Sequence, residues 1–260
     1  EKRYLQPMSF SQAPHTLPAG FFQNVGEELD RSGFIHVQGA VHNVDQGLAA
    51  QCRGVTAEHD RNFTVFNYNH DRGDDFKRSQ THVQELKDVP AFQPLQACIS
   101  AFQATLENLL VGTSYCSPQI SDRRTVDWVV LHSEPGCQSQ QPHTDYDPEK
   151  VKLAERNNGS CAVPLGVICA IEPGTMLVAY PGSHLSGQQS VSQGLGLPQI
   201  VHFEAGDLVL FRGDFVHAGA AYSSYGPGNV RLHAYLDVFS PGSAEPLLER
   251  QENTTYPTEA

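Results

Sequence analysis

Apolar residues recur at helical spacing in the first part of the chain and in short alternating runs in the rest. Phe21, Phe22, Val25 and Leu29 fall three to four residues apart within Leu17 to Arg31. That spacing predicts an amphipathic helix, stopped by Gly33. Phe34 to Gln38 reads as a short strand and Val44 to Arg53 as a second helix. Leu95, Ile99, Phe102, Leu106, Leu109 and Leu110 line one face of a longer helix between Pro90 and Gly112. The stretch from Phe63 to Thr81 is rich in Asn, Asp, His and Arg, turns at Arg72-Gly73-Asp74, and reads as an irregular surface loop. From Thr125 the pattern becomes short β runs: Val126 to His132, Val163 to Ile171, Thr175 to Tyr180, Asp207 to Phe211 and Val230 to Val238. Pro-Gly, Gly-Asp and Gly-Pro-Gly turns separate them. Helices followed by many short strands predict a mainly β protein with flanking helices, the helical layer lying outside a sandwich or jelly roll. A single domain over residues 1–260 is the economical division, with helices over about 17–112, the β core over about 125–240 and a polar tail over 241–260.

Composition narrows the function classes. With 260 residues, 39% of them hydrophobic, the chain can bury a substantial core. Lys and Arg number 17 against 29 Asp and Glu, a formal charge of −12. No cationic excess is available to neutralise phosphates, which argues against nucleic-acid or anionic-membrane partners. No apolar run reaches the length of a spanning helix. Cys52, Cys98, Cys116, Cys137, Cys161 and Cys169 form no Cys-x-x-Cys pair, so zinc-ribbon and thioredoxin-type sites are excluded. A soluble protein is expected, the cytoplasm slightly favoured. The six cysteines and three sequons, at Asn62, Asn158 and Asn253, leave secretion open.

The chemistry starts at Gln140-Gln141-Pro142-His143-Thr144-Asp145. On an extended strand, residues two apart face the same way, so His143 and Asp145 would aim a nitrogen and a carboxylate oxygen at one point. A third ligand would complete the two-His, one-carboxylate set of non-haem Fe(II) sites. Alone the pair is weak, since about one His-x-Asp is expected by chance in a chain this rich in His. His217 follows Asp145 by 72 residues, after a turn and a buried strand, where an opposing strand would deliver a third ligand. In Val230 to Leu236, Leu232, Ala234 and Leu236 face one way and Arg231, His233 and Tyr235 the other. An inward Arg needs an anion, and the guanidinium fork suits a carboxylate. An ion pair of Arg231 with Asp237 or Asp207 is the competing reading. Tyr146 and Asp147 either line the mouth of a site or form a loop. Ser183 and His184 read as structural, and His36, His132, His202 and His233 as core or supporting residues. Arg72, Lys77 and Arg78, like Lys150, Lys152 and Arg156, read as solvated faces, though either group could meet an anionic substrate.

The ordered set His143-x-Asp145, Pro181-Gly182-Ser183-His184, His217 and Arg231 resembles the Fe(II)/2-oxoglutarate-dependent oxygenases, most nearly their phytanoyl-CoA hydroxylase-like branch. The likeness is close over 125–240 and extends to the helix-then-strand opening at 17–39. It implies a double-stranded β-helix, the jelly-roll fold shared with cupins. It makes His143, Asp145 and His217 the iron ligands and Arg231 the partner of the distal carboxylate of 2-oxoglutarate. It places Gln140 and Thr175 where polar contacts to the co-substrate fall. Gly219 stands where the family often carries a hydroxyl that assists the Arg, so Tyr222 or Ser223 is expected to help instead. The implied reaction consumes O₂ and converts 2-oxoglutarate to succinate and CO₂ while a C–H bond of a small organic substrate is hydroxylated, with ascorbate as an accompanying reductant. Asp145 in place of a small residue favours hydroxylation over halogenation. Two alternatives stand beside this: the same centre acting on a nucleobase or a protein side chain, or a cupin-like metal-binding module without turnover. Substrate choice would lie in loops at 60–80, 146–162 and 185–200.

Overall fold

Alternation with period two sorts the side chains of this protein into three layers. The computed structural model describes residues 25–58, 64–65, 77–89, 92–117, 122–185, 197–250 and 254–255. Helices α1 (Val25–Ser32), α2 (Leu48–Glu58) and α3 (Phe92–Leu110) come early, interleaved with strands β1 (Phe34–Val37), β2 (Thr64–Val65) and β3 (Arg78–His82). Then follow β4 (Asp122–Ser133), β5 (His143–Thr144), helix α4 (Pro148–Asn158), β6 (Leu165–Ala170), β7 (Thr175–Ala179) and β8 (Gln199–Phe203). The chain closes with β9 (Leu208–Arg212), β10 (His217–Gly219), β11 (Asn229–Phe239) and β12 (Thr254–Thr255).

The strands form a seven-stranded sheet, in order β1-β9-β6-β11-β4-β3-β2, and a five-stranded sheet, β12-β5-β10-β7-β8. Their pairings are antiparallel, as the jelly-roll expectation required. One face of the larger sheet (Val130, Val167, Cys169, Leu208, Leu210, Leu232, Ala234, Leu236) packs with Val25, Leu29, Leu48, Leu95, Phe102 and Leu106 of the helices. Its other face meets the smaller sheet: Ile168, Ala170, Val209 and Phe211 pack with Leu177, Ala179, Phe203 and Phe215. Arg231 and His233, alternating with Leu232 and Ala234, therefore enter the space between the sheets. The β11–β4 register shifts between His233 and Tyr235, where Asp127 takes a left-handed φ of 54°.

Several elements differ from the sequence expectations. Residues 17–24 of the first expected helix lie outside the described residues, and α2 starts at Leu48 rather than Val44 because Asp45 caps the turn, accepting from Gly47 N at 2.8 Å. Arg78 to His82, expected in a loop, is a strand paired along β4 from Arg78 opposite Ser133 to His82 opposite Val129. Arg-Ser-Gln-Thr-His has no apolar alternation, so only the neighbouring strand reveals it. Residues 148–158, expected within a loop, form α4. Asp147 caps its first turn, accepting from Glu149 N at 2.8 Å, and Pro148 occupies the first turn with its φ preset. Only Pro148 and Val151 of α4 are buried, too few for a helical period to show. The expected tail returns to the sheet: β12 pairs with β5, Thr255 opposite His143. Just before it, Arg250 pairs with Asp127 and stacks 4.6 Å over the Tyr235 ring. All six cysteines are free thiols.

Gly166 makes room for the packing between the sheets. It pairs with Phe211, and a Cβ there would lie 2.4 Å from the Phe211 ring. That ring in turn packs 4.5 Å from the His217 ring. Gly166→Ala must push Phe211 into a filled layer and is expected to destabilise the fold by about 1–3 kcal/mol in denaturant titration. A neutral or stabilising effect would contradict this packing.

Candidate active site

Strand pairing, not sequence proximity, assembles the site. β10 runs antiparallel to β5 with His217 directly opposite His143, the two rings 4.6 Å apart. Asp145 follows two residues after His143 and turns back toward both. The nearest atoms are His143 Nε2 to Asp145 Oδ1 at 4.0 Å and His217 Nε2 to Asp145 Oδ2 at 3.8 Å. One donor atom from each of the three residues lies within 4.8 Å of the others, and all three side chains are buried. Each imidazole turns its Nδ1 to a backbone carbonyl, Gln141 O at 2.8 Å and Phe215 O at 3.2 Å. A carbonyl only accepts, so Nδ1 carries the proton and the Nε2 lone pair is directed to the centre. Phe211 and Phe215 flank the His217 ring and keep its far side dry.

The charge state of the trio calls for a cation. Burial holds the imidazoles of His143 and His217 down at about 4, neutral at physiological pH. Burial also raises Asp145 to about 6, and its Oδ2 has no hydrogen-bond partner among the described residues. Two neutral imidazole nitrogens and one destabilised carboxylate meeting at a point fit a divalent iron, whose bound charge would relieve the carboxylate.

The flanking residues hold this loop in place. Tyr146 is buried and donates its hydroxyl to Asp237, while Asp147 caps α4. Gly213 lacks a Cβ where the Tyr146 ring would be 2.4 Å away. Gln140 accepts from Gly219 N through Oε1 at 2.8 Å, tying the approach to β5 onto β10. Thr175 lies four residues before Ala179, the residue of β7 that pairs with His217. Its hydroxyl meets the Asn229 amide at 2.9 Å, two residues before Arg231. His184 is anchored to Asp30 O at 2.9 Å and Ser183 accepts from Val216 N at 2.9 Å, so that turn fixes the entry to β10. His36 bonds Asp207, while His202, expected in the interior, is exposed because β8 is the outer strand of its sheet.

Arg231 is buried between the sheets. Its Nη1 donates to Ser133 Oγ at 3.0 Å, and its Nε has no partner among the described residues. Neither competing ion pair forms. Asp237 engages Tyr146 and faces Arg250, and Asp207 engages His36 and the Gly39 and Glu204 amides. Tyr222 and Ser223 accept from Met176 N and Tyr225 N, and neither bonds Arg231. Beside Arg231 stands a residue the sequence placed on a solvated face. Arg78 is 4% exposed, and burial with the adjacent Arg231 lowers its guanidinium to about 10. Its only sequence signal was a lone Arg after a Lys in a polar run.

A sequence model described as phytanoyl-CoA dioxygenase (PhyH) matches residues 29–227, well over half of the chain. The chain belongs to the phytanoyl-CoA dioxygenase family. Membership makes it an Fe(II)/2-oxoglutarate-dependent oxygenase, with iron, 2-oxoglutarate and O₂ as its cofactors. The fold is shared with solved structures of low identity. The 2-oxoglutarate-dependent epimerase SnoN from nogalamycin biosynthesis is 18% identical with a TM-score of 0.56, over 92% of this chain and 96% of that one. AviO1 from Streptomyces viridochromogenes is 16% identical with a TM-score of 0.58, over 85% and 96%. HygX from Streptomyces hygroscopicus, solved with nickel and 2-oxoglutarate, is 13% identical with a TM-score of 0.52, over 82% and 86%. No curated protein sequence matches the chain. Among the described residues no helix is long and apolar enough to cross a membrane.

The family's metal chemistry should follow the trio's protonation. In the metal-free protein Asp145 takes up a proton below about pH 6, whereas the two imidazoles stay neutral to about pH 4. Protons and metal compete for the carboxylate, so Mn(II) or Co(II) affinity should be flat above about pH 7 and fall about tenfold per unit below about pH 6. An affinity independent of pH down to about 5 would contradict this.

Proposed function

We propose that this oxygenase hydroxylates a C–H bond of a small organic molecule, with His143, Asp145 and His217 as its iron ligands and Arg231 as the anchor for the distal carboxylate of 2-oxoglutarate. The observation that supports it most is the pairing of opposite needs in one inter-sheet space. Three buried donors converge where a cation is wanted, and a buried guanidinium lacks an anion. Iron held by these three residues would supply the oxidative decarboxylation of 2-oxoglutarate by O₂ to succinate and CO₂, with the second oxygen atom going to the substrate carbon.

The side chains have distinct tasks in that reaction. His143, Asp145 and His217 would hold the cation with two imidazole nitrogens and one carboxylate oxygen. Arg231 would orient the co-substrate through its far end, so that its oxo-acid end faces the trio. Phe211 and Phe215 exclude water behind His217. Asp145 favours hydroxylation over halogenation because its carboxylate fills the coordination position a halide would need. A small molecule is preferred as substrate because the formal charge of −12 opposes a nucleic-acid partner. The titles of two structural neighbours also name small molecules, nogalamycin RO with SnoN and hygromycin B with HygX.

Succinate formation tests the reading directly. With Fe(II), 2-oxoglutarate and O₂, the wild-type protein should form succinate, and Asp145→Ala should lose at least about a hundredfold of that rate. Undiminished succinate formation in Asp145→Ala excludes the assignment. Mass spectrometry of candidate small molecules should show the gain of one oxygen atom.

A further inference from the structure

The neighbourhood of Arg231 contains more positive charge than one co-substrate anchor explains. Arg78 on β3 stands opposite Ser133 on β4, and Arg231 on β11 stands opposite Leu131, two residues from Ser133 on the same face. Both guanidinium groups donate Nη1 to the single Ser133 hydroxyl, Arg78 at 2.6 Å and Arg231 at 3.0 Å. Each is 4% exposed and each keeps a buried Nε with no partner among the described residues. Among the described residues neither has a carboxylate within ion-pair distance. A hydroxyl oxygen accepting from two cations does not neutralise them, and two adjacent buried charges of one sign require an anion.

Gly219 explains why the second cation can be there. Its backbone is not left-handed, so glycine serves for space: a Cβ would lie 3.0 Å from Arg78 Nη1 and 2.4 Å from Gln140 Oε1. Arg78 Nη2 is pinned to Ala220 O at 2.6 Å and Gln138 O at 2.9 Å, with Gly219 O at 3.3 Å. These carbonyls hold the Nη2 end of the guanidinium, while its buried Nε has no partner among the described residues.

We propose that Arg78 is a second anchor for the co-substrate, so that the distal carboxylate of 2-oxoglutarate is held by two guanidinium groups and Ser133 in place of one guanidinium and a hydroxyl at 219. This rests on the oxygenase function above, and it makes Arg78 a specificity-determining residue that selects a 2-oxo diacid over a 2-oxo monoacid. Pyruvate carries the same oxo-acid end but lacks the distal carboxylate, so it reports damage to the metal end alone.

The test is anaerobic calorimetry on Fe(II)-loaded protein, titrated with 2-oxoglutarate and, separately, with pyruvate. Arg78→Gln should weaken 2-oxoglutarate about tenfold or more and leave pyruvate affinity and iron affinity within about twofold. Should the neutral variant not fold, Arg78→Lys keeps the charge but not the fork, and the preference for 2-oxoglutarate over pyruvate should fall about threefold. An unchanged preference in whichever variant folds overturns the proposal, and so does an equal loss for both acids, which would mark Arg78 as a strap for Gln138 and Ala220 only. Wild-type protein that binds neither acid would instead remove the oxygenase function on which the proposal stands.

Discussion

The site depends on one register: His217 opposite His143 in the β10–β5 pair. Side chains alternate across a sheet, so a slip of one residue would turn His217 outward and put Ala218 in its place. Strands of two and three residues contribute little pairing energy of their own, and the register is fixed from outside them. Gln140 bonds Gly219 twice, backbone N to O at 2.9 Å and side chain to N at 2.8 Å. At the other end Ser183 holds Val216 N at 2.9 Å, and Tyr180 N bonds Val216 O at 3.2 Å. On the far side β7 pairs with β10 from Ala179 to Leu177. The strand that carries His217 is clamped at both ends and along one edge, which is the rigidity a preorganised metal site needs.

Around that register the protein buries a carboxylate and two guanidinium groups that have no oppositely charged Asp, Glu, Lys or Arg within ion-pair distance in its inter-sheet space among the described residues. Asp145 keeps an unpaired oxygen between two neutral imidazoles, while Arg78 and Arg231 share one hydroxyl on the opposing sheet. Buried polar groups are normally satisfied, so each orphan is either a cost to stability or the imprint of a ligand. Here the orphans are of opposite sign and face one inter-sheet space. On the proposed function, a metal ion would satisfy the first and a carboxylate the second.

Much of this was visible in the chain. Clean alternation in Val230–Leu236 placed Arg231 inward, and the apolar stripe from Leu95 to Leu110 gave α3 with its buried face intact. The trio was legible as an ordered spacing because its ligand types are chemically distinctive. What stayed hidden lacked a local signal. β3 carries no apolar alternation, and Arg78 meets the Ala220 carbonyl across 142 residues of sequence. The absence of a hydroxyl at Gly219 could be read directly, but its replacement could not, since the Tyr222 and Ser223 hydroxyls accept from Met176 N and Tyr225 N and not from Arg231. α4 announced itself by Asp147-Pro148, a cap followed by proline, yet its exposed faces concealed the helical period.

The C-terminal segment adds a support that no spacing argument could reach. Tyr146, next to Asp145, donates to Asp237 on β11, and Arg250 faces that same carboxylate at 3.8 Å while pairing with Asp127 at the β4 irregularity. Five residues beyond Arg250 the backbone returns to pair with His143 itself. The ligand loop is therefore held from the larger sheet through Tyr146 and along its free edge through β12. Without that strand, β5 would be an edge strand of two residues carrying His143, an arrangement prone to fraying. The end of the chain thus belongs to the architecture that keeps His143 facing His217.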